Sequence, residues 1–580
     1  MTTVLGINHA FHDSAACLVR DGRLLVAIEE ERLTRDKHTQ AFPAKAIARC
    51  LLESGIAPEA IDHVAVSIDP GAHQADKLAY AASLGEARGR FLDYEFARLQ
   101  ERHVQLWDWH RSLFGTGPDA PPVHFVDHHR AHAIGSWLVS GYERAAILSI
   151  DGWGEWSTTW LGEGDGGTVR EIGSSVYPNS LGLFYSAVTE WLGFEPNYDE
   201  GKTMGLAPFG DAERFYDVVR GLVSVDADGT VTIDRDAFDL EGVSRGLVGE
   251  RLVRLLGAPR AAGEPIREHH QDVAAAFQRV LEECVLSLAG ILRERSDATH
   301  LVIAGGVALN SVANGRVLRE AGFEDIYVMP AAGDAGTCIG AACTLSHDLG
   351  LGEPTVHDDP YLGTAYSDGA IRAALEATKT PYRRVEDRAA ACAELLARGQ
   401  IVGWFQGRME FGPRSLGNRS ILADPRSPDM KAKINAEVKH REPFRPFAPM
   451  VTRERCGEFF DLAVESPFML KVCDVREDAR DRLPAVTHVD GTARVQTVRA
   501  ETNPLLHALL ERFGEVSDVP VILNTSFNVM GEPIVESPSD ALRCFWGGGL
   551  DALVIGPYVV EKAPVAVALE SAAPRQARAA

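Results

Sequence analysis

Short apolar runs and helical stripes alternate along this chain. Val4 to Asn8, Ser14 to Arg20 and Leu24 to Glu29 are three such runs in close succession. Runs of this length bounded by turn residues read as strands. Asp21-Gly22, between the second and the third, is a two-residue hairpin signal. A helix is expected from Pro43, with Ala44, Ile47 and Leu51 on its apolar face and Gly55 as its stop. The same plan returns later, with strands expected at Ala145 to Asp151, Trp156 to Leu161 and Val169 to Ser175. Two three-strand units, each followed by helices, predict a duplicated α/β domain with ligand-binding turns at the strand ends facing the cleft between its halves.

His300 to Ala304 then runs into Gly305-Gly306 and a helical stretch from Leu309, and Ile326 to Met329 runs into a Gly-flanked turn and another helix. Gly, Pro and Asp gather over 350–365, which places a domain boundary between 1–355 and 356–580. Beyond it, strands are expected at Ile401 to Phe405, Ser420 to Ala423 and Val519 to Leu523. The Ala-rich tail after Ala563 reads as frayed.

Composition narrows the class. A chain of 580 residues is too long for one core. Hydrophobic residues at 45% and charged residues at 24% are a globular mix. The net charge of −24 repels phosphate backbones, so no nucleic-acid partner is expected. No apolar run reaches membrane-span length, and the first strand begins without a leader, so a cytoplasmic protein with no membrane partner is expected. Nine cysteines without a C-x-x-C pair read as buried reduced thiols.

The densest chemistry lies in Asp127-His128-His129-Arg130-Ala131-His132. Four-residue spacing puts His128 and His132 on one helix face, within reach of one ion, whereas His129 points elsewhere. Alone, such a pair is better explained by capping or packing. Asp151 and Asp334, each at a Gly-flanked strand-end turn, tip the balance towards a metal. Two His and two Asp suit a divalent ion such as Fe, Mn or Zn.

Turns at Gly305-Gly306 through Asn310, at Gly333 to Gly336 and at Asp151 to Gly154 bring backbone N–H groups near a bound anion. Together they suggest a nucleotide cleft. The segment Asp199 to Gly205 adds Lys202, which either reaches a phosphate or sits in a solvated loop. His12, after the first strand, is a candidate general base, although as a residue alone it reads better as a hydrogen-bonded turn histidine.

Further on, Phe405 to Ser420, Lys439 to Phe447, His488 to Arg494 and Leu523 to Asn528 gather Arg and Lys among Gly, Pro and Phe. In so acidic a chain this predicts an anion site. Asn524 and Ser526 alternate, so they face one side of a strand.

Together these segments resemble the nodulation/cephalosporin-type O-carbamoyltransferases, a family that includes tobramycin carbamoyltransferase. Phe11 to Ala16, Glu29 to Arg32, Asp127 to Ala133, Met204 to Pro208, Glu410 to Gly417, Phe444 to Pro449 and Leu523 to Asn528 carry the resemblance. It implies a duplicated actin-like (ASKHA) domain over 1–355 followed by a YrdC-like α/β domain over 356–580. By that resemblance Arg414, Lys439, Arg445, Arg494, Asn524 and Ser526 bind carbamoyl phosphate and ATP, the latter with Mg2+, and form carbamoyl-adenylate with release of pyrophosphate.

His128, His132, Asp151 and Asp334 would hold the divalent ion, Fe2+ foremost, with Mn2+ or Zn2+ as alternatives. Lys202, Gly205, Gly305, Gly306 and Asn310 would bind the nucleotide in the first domain. His12 would take the proton of a small-molecule hydroxyl acceptor. The family also suggests a homodimer, and segments 68–120 and 225–265 are expected as loops shaping the acceptor pocket.

The rival readings are an actin-like kinase, a metallopeptidase, a tRNA threonylcarbamoylation enzyme and an ATP-gated scaffold. A kinase needs neither the histidine pair nor the arginine-rich module. A peptidase would carry H-E-x-x-H where this chain has H-H-R-A-H. The acidic charge opposes RNA. A scaffold leaves both charged clefts unexplained.

Overall fold

The structure is a computed structural model that describes residues 1–9, 11–240, 246–352 and 355–562. The tail expected to fray lies outside the described residues.

The first sheet contains β1 (Thr3–Asn8), β2 (Ala15–Arg20), β3 (Arg23–Glu29), β4 (His63–Val66) and β5 (Val123–Phe125), in the order β3-β2-β1-β4-β5. β1 runs antiparallel to β2 and parallel to β4. Every residue of β1 is buried, as its continuous apolar run requires of a central strand. Asp21 and Gly22 both take positive φ, which gives the tight hairpin expected between β2 and β3.

The second sheet contains β6 (Arg144–Ile150), β7 (Ser157–Asp165), β8 (Thr168–Val176), then His300–Ala304 and Asp325–Val328. Its central strand β6 likewise pairs antiparallel with β7 and parallel with His300–Ala304. Both sheets therefore share one topology, and the duplication expected from the strand pattern is present in the connectivity.

Some details differ from the expectation. In the helix Ala44–Ser54 the buried face is Ala46, Ile47 and Cys50, with Leu51 partly buried against the same core as expected, whereas Ala44 is exposed because it lies off the face turned to β2 and β3. The stretch 68–120 is largely helical rather than loop, with Gln74–Ser83 and Arg98–Phe114 as its longest pieces. The stretch 225–265 also holds a strand, Val231–Ile233, and a helix, Glu250–Leu256.

The last sheet has eight strands drawn from 383–561. Val402, Trp404, Leu422 and Ile522 pack on one of its faces, and Phe405, Ile421, Ala423, Val521 and Leu523 on the other. Strict alternation with both faces covered explains why its strands read as unbroken apolar runs. The strand expected at Val519 to Leu523 is Val521–Ser526, so it carries Asn524 and Ser526 within its own length.

All nine cysteines are free and buried. Among the described residues no helix is long and apolar enough to cross a membrane.

Candidate active site

Asp127 caps the helix His128–Leu138 by accepting from Arg130 N, which starts the helix at His128 and fixes its first turn. This helix crosses Thr337–Asp348 at small residues. A Cβ on Gly340 would lie 1.9 Å from Ala131 O, and one on Gly135 would lie 2.2 Å from Gly340 Cα. That close approach brings the histidines beside Asp334, which sits in the turn before the second helix.

The four predicted donors converge. His128 Nε2 lies 3.3 Å from Asp151 Oδ2 and 3.5 Å from Asp334 Oδ1, and His132 Nε2 lies 3.0 and 3.7 Å from the same atoms. One ligand atom from each falls within 4.8 Å of all the others, and all four residues are buried.

The surroundings aim these atoms. His128 Nδ1 is 3.2 Å from Ser67 O, which sets the ring so that Nε2 faces the carboxylates. Asp151 Oδ1 accepts from Gly152 N at 2.8 Å and Gly306 N at 3.2 Å, leaving Oδ2 for the histidines. His132 Nε2 is buried and makes no hydrogen bond among the described residues despite its nearness to Asp151. An orphaned imidazole nitrogen among two carboxylates and a second imidazole fits a divalent cation. Burial opposes charge here. Even so, the carboxylates lift His128 well above its ordinary range, and the imidazoles hold Asp151 well below. His129 stays outside this set, with Nδ1 3.1 Å from Ser149 Oγ.

His12 flanks the cluster, its Nε2 4.0 Å from Asp334 Oδ2 and its Nδ1 2.9 Å from Asp13 Oδ2. Burial alone would depress it, but Asp334 and Asp13 override burial and raise it to about 10.

Two of the glycine turns hold Asp151. The Gly152 and Gly306 N–H groups are both committed to Asp151. Gly305 does not line the cavity described below. It takes φ +88, and a Cβ there would meet Ile150 O at 2.2 Å, so it lets two strands close together. Asn310 caps the helix Ser311–Glu320 and exchanges amide hydrogen bonds with Gln278. Lys202 is paired with Asp199 at 2.8 Å and Glu442 at 3.4 Å. The expected free phosphate donors are thus largely engaged within the protein.

The C-terminal cations do gather. Arg414, Arg441, Arg445 and Arg494 line one end of a cavity of about 610 Å3 together with Lys439, Asn524 and Ser526. Burial, reinforced by the neighbouring guanidinium groups, pulls Arg414 down to about 10, and pulls Arg494 well below its usual range. Burial and Arg445 likewise pull Arg441 down to about 9. Guanidinium groups keep their proton at physiological pH. The depression comes first from burial and then from mutual repulsion of the cations, and an anion between them would relieve the second. Arg414 Nε is buried without a hydrogen-bond partner among the described residues.

Lys439 is less free than expected. It ends the π-helical turn Ile434–Lys439, and its ammonium bonds Ser526 O, Ser526 Oγ at 3.1 Å and Asn528 Oδ1 at 2.7 Å. Asn524 donates to Gln496 Oε1 at 2.8 Å and to Ser415 O at 3.2 Å. Two residues not selected from the sequence also line the cavity, Arg441 and Lys37. Arg441 stood in the selected run from Lys439 to Phe447 but was masked by its neighbours.

The same cavity is lined at its other end by His12, Asp13, Asp151 and Asp334. The metal cluster and the cation cluster therefore open into one space.

Two family models match this chain: Carbamoyltransferase N-terminus over residues 3–343 and Carbamoyltransferase C-terminus over 393–562. The chain belongs to the carbamoyltransferase family and is an enzyme of that kind. Its relatives include nodulation protein NolNO of Sinorhizobium fredii, 40% identical over 96% of this chain and 80% of the relative. The 3'-hydroxymethylcephem-O-carbamoyltransferase of Streptomyces clavuligerus is 30% identical over 92% of this chain and 95% of that protein. The uncharacterized protein sll1178 of Synechocystis is 40% identical over 97% of each chain.

Proposed function

We propose that this carbamoyltransferase forms carbamoyl-adenylate at its arginine cluster and passes the carbamoyl group, at the His128/His132/Asp151/Asp334 centre, to a hydroxyl of a small molecule such as a natural product. In this reading 1–355 is an actin-like transfer domain and 356–580 a YrdC-like activating domain, working in the cytoplasm where ATP is supplied. The observation that carries it is one cavity of about 610 Å3 lined both by the arginine cluster and by Asp151 and Asp334 of the metal-ligand set.

In the activation step, carbamoyl phosphate loses phosphate to water and leaves carbamate. A carbamate oxygen then attacks the α-phosphorus of ATP and displaces pyrophosphate. Arg414, Arg441, Arg445 and Arg494 offset the negative charge of both reactants and hold them in line. Lys439 fixes Ser526 and Asn528 at the end of the strand Val521–Ser526, so these polar atoms meet the substrate already oriented.

The mixed anhydride is destroyed by water, so an enclosed path between the sites serves the chemistry. In the transfer step the acceptor oxygen attacks the carbamoyl carbon and AMP leaves. His12 receives the acceptor proton at Nε2, while Asp13 holds Nδ1. The pull that raises His12 comes foremost from Asp334, so neutralising that carboxylate brings the imidazole back towards the range of a base. A divalent cation on the four ligands would polarise the carbamoyl oxygen and steady the departing phosphate.

The test is to incubate the purified protein with ATP, carbamoyl phosphate and Mg2+ without acceptor and to follow pyrophosphate. Release that depends on carbamoyl phosphate supports the reading. Formation of ADP instead would point to a kinase.

A further inference from the structure

Glu29, Glu31 and Arg32 carry no role in the two half-reactions as proposed, yet all three line the cavity that the two sites share. Glu30 turns away and accepts from Ala46 N at 2.7 Å, capping the helix Ala44–Ser54. The other three act together. Arg32, only 4% exposed, is gripped by Glu29 at 2.7 Å and Glu31 at 2.5 Å, and its remaining nitrogen donates to Gly412 O at 2.9 Å. A buried guanidinium with two carboxylates is costly to desolvate, and its usual return is a fixed geometry rather than stability.

Gly412 sits two residues before Arg414 with φ +118, and a Cβ there would meet Pro330 O at 2.8 Å. The loop bearing an activating arginine thus packs on the loop that leads to Asp334. One turn on, Arg35 donates to Ile534 O and Pro533 O, each at 2.7 Å, on another loop that walls the cavity. Towards the transfer site, Glu31 accepts from His38 N at 2.7 Å, and His38 Nδ1 lies 2.7 Å from Asp13, the partner of His12. An unbroken chain of polar contacts therefore runs from His12 through the short helix α1 (Glu30–Thr34) to the loop of Arg414.

We propose that α1 is a clasp that ties together the loops walling the shared cavity and keeps the activated carbamoyl group inside it. This rests on the two-site reading above. Arg35 is a positioning residue in it. Arg35 does not line the cavity, so its loss opens the seam without removing a group from either reaction.

The test uses the full chain with ATP and carbamoyl phosphate and no acceptor. The native protein should give a burst of pyrophosphate near one per chain and then slow, because the adenylate is held. Arg35→Met should keep the burst, but steady release of pyrophosphate and free AMP should rise about fivefold as the adenylate escapes and hydrolyses. Arg35→Lys, which keeps the charge but loses the fork, should fall between, and a melting temperature close to native confirms that the variants are folded. An unchanged steady rate in both variants overturns the clasp. Loss of the burst also overturns it, since Arg35 would then belong to activation. A native protein with no carbamoyl-phosphate-dependent burst sinks the two-site reading itself, and the clasp with it.

Discussion

His128 stands behind Asp151 and Asp334, which line the same cavity as Arg494, and the two residues should fail in opposite ways. Removing His128 leaves Asp151, Asp334 and His132 as an incomplete ligand set. His128→Ala should lower bound metal and acceptor carbamoylation by more than about 100-fold, because even groups behind a ligand are worth 10–100-fold. Pyrophosphate formation should survive. Metal content by elemental analysis and the two half-reactions measured separately check this; equal loss of both half-reactions would refute the two-site assignment. Arg494→Ala should lower pyrophosphate formation by about 10²–10³-fold, the scale of one lost charge-stabilising donor. Carbamoyl transfer from supplied carbamoyl-adenylate should be retained.

At this scale the spacing of His128 and His132 was readable because helical periodicity is local. Lys439 was readable as a cation. Its commitment to Ser526 and Asn528 was not, since those partners lie 87 and 89 residues away.

Among the elements, the crossing of His128–Leu138 with Thr337–Asp348 decides whether a metal site exists at all. Gly340 is the contact point, with no space for a side chain before Ala131 O. Gly340→Ala should force the helices apart, at a cost of about 1–3 kcal/mol for overpacking, and should weaken metal binding although no ligand is changed. Thermal unfolding and metal titration of the same protein test this, and native metal affinity with native stability would show that the crossing tolerates a methyl group. The strands were legible from their apolar runs, with ends displaced by a few residues. The helical nature of 68–120 was not, because the stretch is polar and its helices bury only scattered positions such as Leu99, Leu106 and His110.

For the whole molecule, burial makes acid a hazard. His357 is buried beside Phe468, and desolvation lowers it to about 4. The unfolded chain regains a pKa near 6.5. Between about pH 6.5 and 4 the unfolded state binds a proton that the folded state refuses. Stability is therefore full above this window and is lost as pH falls through it, by about 1.4 kcal/mol per unit. His9, also lowered to about 4 by burial, adds to the same slope. Between pH 6.5 and 5 the melting temperature of the native protein should fall relative to that of His357→Asn, which lacks this contribution. An identical slope in the variant would remove His357 from the explanation.

The sequence by itself determined the duplicated α/β pattern, the helical histidine pair, the two turn aspartates and the wealth of arginine in the C-terminal loops, because each is written in short-range periodicity or in local composition. Only the tertiary structure decided that Gly152 and Gly306 donate to Asp151, that Arg441 joins the cation cluster, and that residues of both clusters line one cavity. Those outcomes depend on which distant segments pack together, and side-chain volume and hydrogen-bond satisfaction settle them only once the chain has closed on itself.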